Sequence, residues 1–168
     1  MVLDRLTDYL DAHKLKYVLI QHSPAFTARE VAVSAHIPFR EVAKTVVLTV
    51  DNTRHLLAVL PATEMVDMYA LRDVLGTIAV RLTSESEFNA LFPDCEVGAM
   101  PPFGNLFKMD VIVSESLTED EEIAFNAGSH RDLVKMSYVD FERLVHPKIL
   151  PFSAPRHVRP NLFAGGLS

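Results

Sequence analysis

Apolar positions along the chain fall into helical and strand periods that alternate. Leu3, Leu6 and Leu10, with Val2 and Tyr9, recur at helical spacing over residues 2–13 and predict an opening helix. "YVLIQH" (17–22) predicts a short strand. After "SPAF", Thr27 and Glu30 form a T-x-x-E capping box, which predicts a helix over about 28–35. "AKTVVLTV" (43–50) and "HLLAVLP" (55–61) are β-branched, apolar runs separated by "DNTR", the pattern of a hairpin. "VDMYALRDVLG" (66–76) returns to helical period and ends on a glycine cap. "TIAVRL" (77–82) predicts a strand, and Ser84 with Glu87 caps a short helix stopped by Pro93. Strands are expected at about 106–114, 122–126 and 132–137, and a closing helix over 138–145 ends at Pro147.

Because several of these strands join by hairpins instead of helical crossovers, a purely parallel sheet is not expected. The pattern predicts one α/β domain over 1–147, a mixed sheet with helices packed around it. From residue 148 the composition changes. "KILPFSAPRHVRPNLFAGGLS" has three prolines, two glycines, three Lys/Arg and no acid, and reads as a Pro-rich, basic extension over 148–168. Removing its +3 from the net charge of −6 leaves about −9 on residues 1–147. The extension is expected to cover apolar surface with "ILPF" and "NLF" or to add phosphate contacts through Lys148, Arg156 and Arg159.

Composition narrows the function classes. The 168 residues are 49% hydrophobic and 23% charged, an ordinary globular balance. No apolar run approaches the roughly 18 residues of a membrane span. The acid-bearing amphipathic start fits neither a signal nor a transit peptide. One cysteine, Cys95, rules out an internal disulfide and suits a reducing cytoplasm. The negative charge argues against a nucleic-acid-coating surface, and no element for reading a DNA groove is visible. A local basic pocket could still hold one nucleic-acid end.

Few side chains stand in chemically suggestive patterns. The seven histidines are scattered, with neither C-x-x-C nor H-E-x-x-H, so no metal site is expected. P-loop, dinucleotide and G-x-S-x-G patterns are absent, and no cofactor is expected. Cys95 lies between Asp94 and Glu96, which oppose a thiolate, so a cysteine hydrolase is disfavoured. The acid cluster "TEDEE" (118–122) reads as a solvated turn. Lys44 heads an apolar strand, where it either points to water or meets an anion or a developing oxyanion. His22 ends the first strand, and "FNAGSH" (125–130) is a turn that could double as a pocket wall. "GAMPPFGN" (98–105) is a stiff loop whose prolines remove donors and whose glycines permit positive φ.

Taken in order, "HSPAFTAREVA", "AKTVVL", "VLPA" followed by "VD", "GAMPPFG" and "FNAGSH" resemble the YbaK and prolyl-tRNA synthetase-associated editing-domain family of aminoacyl-tRNA deacylases over residues 15–146. The sharpest element is G-x-x-x-P-F-G, matched by Gly98, Pro102, Phe103 and Gly104, and the family's functional lysine matches Lys44. The resemblance implies a mixed, barrel-like sheet flanked by helices. It implies a free-standing hydrolase acting on the ester at the 3′ acceptor end of mischarged aminoacyl-tRNA, with an aminoacyl-tRNA synthetase as a further partner.

In that family the loop offers backbone amides to the aminoacyl carbonyl, and the lysine lies beside the terminal adenosine and its phosphate. The resemblance thus puts catalysis on Lys44, Gly98, Pro102 and Gly104. Substrate contacts would fall to His22, Thr45, Met100, Pro101, Phe103, Asn126, Gly128, Ser129 and His130. Met100 and Phe103 as apolar walls predict a small amino acid. The turn here follows neither the cysteine-removing nor the alanine-removing pattern. With no evident general base, a ribose hydroxyl of the substrate is a plausible substitute. The alternative reading is a non-catalytic module that binds tRNA ends or nucleotides.

Overall fold

The computed structural model describes residues 1–155. Helix α1 (Val2–Ala12) buries Val2, Leu6 and Leu10, the face its periodicity selects. Strand β1 (Tyr17–Gln21) follows, then α2 (Ala28–Ala35), whose Thr27 cap accepts from the Glu30 amide at 3.1 Å. The Glu30 carboxylate reaches back to the Phe26 amide, completing the box one residue earlier than the usual pattern. The hairpin β2 (Ala43–Val50) and β3 (Arg54–Pro61) pairs antiparallel over its whole length, with Lys44 opposite Leu60 and Val50 opposite Arg54.

The chain continues through β4 (Glu64–Val66), α3 (Met68–Leu75), β5 (Val80–Leu82) and α4 (Glu85–Leu91). Asp67 caps α3 through the amides of Tyr69 and Ala70, and Gly76 ends it in the left-handed region. The second half holds β6 (Asp110–Ser114), β7 (Glu122–Asn126), β8 (Asp132–Ser137), α5 (Tyr138–Val145), β9 (Lys148–Leu150) and β10 (Ser153–Pro155).

Five strands form a mixed sheet in the order β5-β2-β3-β6-β9, antiparallel up to β3 and parallel from β3 onward. An antiparallel sheet, β1-β8-β7, closes against it through a parallel bridge between Val42 and Ala124, just before β2 begins. The main core lies between these sheets, with α1 and α5 contributing Leu6, Leu10, Tyr138 and Phe141. A second cluster packs α3 over the other face of the five-stranded sheet through Leu71 against Leu48, Leu56 and Leu60.

Three strands of three residues are not visible in the periodicity: β4, β9 and β10. Two of them occupy the segment read as the start of an extension. Lys148–Leu150 pairs parallel with β6, and Ser153–Pro155 pairs antiparallel with β4. Between them Phe152 is fully buried in the second core cluster. Residues 148–155 are therefore woven into the fold, while Arg156, Arg159 and "NLF" lie outside the described residues. Truncating Phe152 to alanine should cost about 3–5 kcal/mol of stability, measurable by urea denaturation. A loss below about 1 kcal/mol would mean that this segment is only lightly docked.

Candidate active site

The pocket that collects the expected residues lies where the two sheets meet. It encloses about 400 Å³ and is lined by Lys44, Thr45, Gly98, Met100, Asn126 and His130, together with Phe26, Thr27, Val31 and Val97. Each wall has a local cause. Antiparallel pairing fixes Lys44 and Thr45 at the start of β2. The Thr27 cap sets the first turn of α2, and the end of β7 supplies Asn126. Among the lining residues Lys44 is the one Lys or Arg, and none is Asp or Glu. Such a lining favours an anionic or ester-oxygen ligand near Lys44.

His130 closes a further side of the pocket. Its Nε2 lies 2.9 Å from the Val97 carbonyl, which can only accept, so that nitrogen carries the hydrogen. In the neutral ring Nδ1 is then an acceptor, and it is buried with no protein partner among the described residues. Asn126 Oδ1, in the same wall, is likewise buried and unpartnered. Phe26, 72% exposed, packs at a tilt of 48° against the His130 ring with centroids 5.0 Å apart, making an aromatic rim. The Glu96 carboxylate accepts from the His130 amide at 3.0 Å and holds the turn down.

The loop at 98–104 divides into two parts. Gly98 has φ +80°, and Met100 is buried; both line the pocket. Among the described residues, their amides donate to no protein acceptor. Ala99 instead anchors the loop, since its amide donates to Glu96 and its carbonyl accepts from the Gly128 amide at 2.7 Å. Phe103 and Gly104 turn the other way. Phe103 is fully buried in the main core against Tyr9, Phe125 and Phe141. A Cβ on Gly104 would overlap the Met109 carbonyl and lie 2.7 Å from Val111 Cγ2. Pro101 and Pro102 are buried and fall outside the pocket lining.

The remaining expected residues flank this cavity without lining it. His22 bonds through Nδ1 to the Ser23 carbonyl at 2.7 Å. Ser129 donates to Asp132 Oδ2 at 2.7 Å and accepts from the Arg131 and Asp132 amides, closing its own turn. Gly128, at φ +101°, lets α1 approach, because a Cβ there would stand 3.1 Å from Val2 Cβ. Sequence reasoning did not select Phe26, Val31 or Val97. The capping box beside Phe26 and Val31 was the signal available for two of them.

Two other chemical candidates lie elsewhere. Cys95 packs beside the main core, and burial followed by Asp94 pushes its thiol up to about 11, leaving it protonated at neutral pH. A separate acidic hollow contains Arg40, Glu41, Glu64, Glu119 and Asp120. Burial, then Glu41, pushes the Asp120 carboxyl up to about 6 against the opposing Arg40, and its Oδ2 has no partner among the described residues. The folded chain thus keeps a proton that the unfolded chain releases near pH 4, so stability falls as pH rises from about 4 to about 6. Asp120→Asn should therefore raise Tm at pH 7.5, with the gain vanishing at pH 4. An equal gain at both pH values would show that ionisation is not the cause.

Comparison with known proteins fits this geometry to a class. The aminoacyl-tRNA editing domain model matches residues 22–144, and the chain belongs to that family. Over 100 residues the chain is 33% identical to the multifunctional Ser/Thr-tRNA deacylase ProXp-y of Escherichia coli (strain K12), a match covering 59% of each protein. The chain thus spans less than two thirds of that relative's length. Over 141 residues it is 26% identical to the prolyl-tRNA editing protein ProX of Acetoanaerobium sticklandii, covering 81% of this chain and 85% of that protein. Two solved structures share the fold at 18% identity. One is a candidate trans-editing enzyme for prolyl tRNA synthetase (TM-score 0.78, covering 91% of this chain and 97% of that one). The other is hypothetical protein APE2540 (TM-score 0.81, covering 89% and 99%). Among the described residues, no helix is long and apolar enough to cross a membrane, and no group of three or more His, Cys, Asp or Glu is placed to hold a metal ion.

Proposed function

We propose that the protein is a free-standing deacylase that hydrolyses the ester between a small amino acid and the 3′ end of a mischarged tRNA. The observation that carries this reading is one pocket that holds, among the described residues, a cation at one wall, two amides without protein acceptors on the 98–104 loop, and two buried acceptors without partners. In this reading Lys44 meets the terminal phosphate, and the Gly98 and Met100 amides take the carbonyl oxygen as it becomes an oxyanion. Asn126 Oδ1 and His130 Nδ1 accept from the α-amino group. A ribose hydroxyl of the substrate serves to position the attacking water. Met100, Val31 and Val97 close the apolar side, leaving room for a side chain of about alanine or serine size.

The two named relatives, a Ser/Thr-tRNA deacylase and a prolyl-tRNA editing protein, support the reaction class. A synthetase partner, a cytoplasmic location and a C-terminal extension that serves tRNA belong to the same reading. A synthetase site separates neighbours differing by one methylene by only about 1–3 kcal/mol, which is the need a second sieve answers. Single-turnover hydrolysis across a full panel of aminoacyl-tRNAs tests it. Rapid loss of alanyl or seryl esters with bulky aromatic esters spared is expected. Binding without ester loss for any member would instead establish a non-catalytic tRNA-end module.

A further inference from the structure

A second cleft opens at the far end of the hairpin that carries Lys44. It holds about 430 Å³ and is lined by Arg54, His146 and Lys148 over an apolar floor including Leu56, Leu75 and Val145. One carboxylate, Asp110, shares its wall. On a chain of net charge −6, Arg54 and Lys148 form no ion pair among the described residues. Three separate strand starts bring these groups together: Arg54 opens β3, Asp110 opens β6 and Lys148 opens β9.

The register places one cation of the first pocket and two of the second cleft on one face of the five-stranded sheet. Lys44 stands opposite Leu60, and Val50 opposite Arg54. Leu56 aligns with Asp110, and Ile112 with Lys148. Because side chains alternate with period two, Lys44, Arg54 and Lys148 all project toward the side that α3 covers. From Lys44 to Val50, beside Arg54, the strand runs about 20 Å. Helix α3, over the middle of this face, carries Arg72 and the 85%-exposed Tyr69, alongside Asp73. A ligand reaching both ends must be long, and two strand-borne cations at the far end call for repeated negative charge.

We infer that this cleft binds the sugar–phosphate backbone of the same tRNA whose 3′ end enters the first pocket, an inference that rests on the deacylase reading for the identity of the polyanion. Arg54 and Lys148 contact phosphates, and His146 adds a donor. The apolar floor keeps the two long side chains extended toward the ligand.

The double variant Arg54→Glu/Lys148→Glu tests this, with Tm checked first. Binding of uncharged tRNA should weaken at least tenfold at low salt. The magnitude of the log–log salt slope should fall by about 1.4–1.8, since each lost contact removes about 0.7–0.9. Hydrolysis of a short aminoacyl-adenosine ester, which spans only the first pocket, is the control and should keep its rate. An unchanged slope with tRNA overturns the inference. So does inorganic phosphate or AMP binding that the variant abolishes while tRNA binding stays intact, because the cleft would then be a small-anion site. A slope that falls in a protein that hydrolyses no ester would keep the backbone contact and remove the deacylase reading instead.

Discussion

Lys44→Ala should lower deacylation of a mischarged tRNA by at least about 100-fold while the protein keeps its fold, as judged by circular dichroism and Tm. The lysine is half-buried in the second position of a fully paired strand, so strand pairing does not depend on its side chain. Losing the stem costs about 1 kcal/mol of packing at most, whereas losing the charge removes the one Lys or Arg in the pocket lining. Lys44→Met separates these effects, because it restores the stem without the ammonium. It should be as inactive as the alanine variant. Lys44→Arg should recover little, since a planar fork cannot take the place of a compact ammonium in a cavity of about 400 Å³. Near-wild-type turnover by Lys44→Ala would remove the lysine from the chemistry.

The two glycines of the G-x-x-x-P-F-G run should respond oppositely to alanine. At Gly104 the added methyl would strike the Met109 backbone, and backbone cannot step aside as a flexible side chain can. A stability loss of about 3 kcal/mol or more is expected, with activity lost only because less protein is folded. At Gly98 an added Cβ would meet nothing within 4 Å, but φ is +80°. The cost there is conformational, about 1–2 kcal/mol, and the chain can relieve it by turning the peptide planes on either side. Since one of those planes carries the Gly98 amide, and the other the Ala99 amide that anchors the loop to Glu96, kcat should fall well beyond what the stability change explains. Urea titrations and single-turnover rates on both variants check this. Equal losses of stability would mean that the loop acts as one structural unit.

How much of this was legible in the sequence follows from range. The helices announced themselves through local devices. Thr27 and Ser84 accept from amides three residues on, and Gly76 ends its helix at positive φ. The hairpin was equally local. By contrast β4, β9 and β10 are three residues long, too short for a period, and exist only because distant segments pair with them. The site shows the same division. Lys44 and the Gly98 loop stand out as motifs, but sequence cannot say which way a motif residue faces. Phe103 fills the core while Met100 lines the pocket, although both are apolar residues of one loop. Phe26 stands beside a capping box that is legible, but its place at the rim is not, since that depends on a histidine more than a hundred positions away.

The weaving of residues 148–155 into both the main sheet and the β4 edge has a practical consequence for anyone who prepares this protein. The segment that recurs across the family, 22–144, is smaller than the body that holds together. Cutting at those limits would strip β1 from β8 and β9 from β6, exposing two sheet edges at once. It would also remove Leu6 and Leu10 from one core and Phe152 from the other. Such a fragment should be recovered mostly as aggregate, and libraries or fusions built on the recurrent segment would sample a surface that the intact chain never shows to solvent.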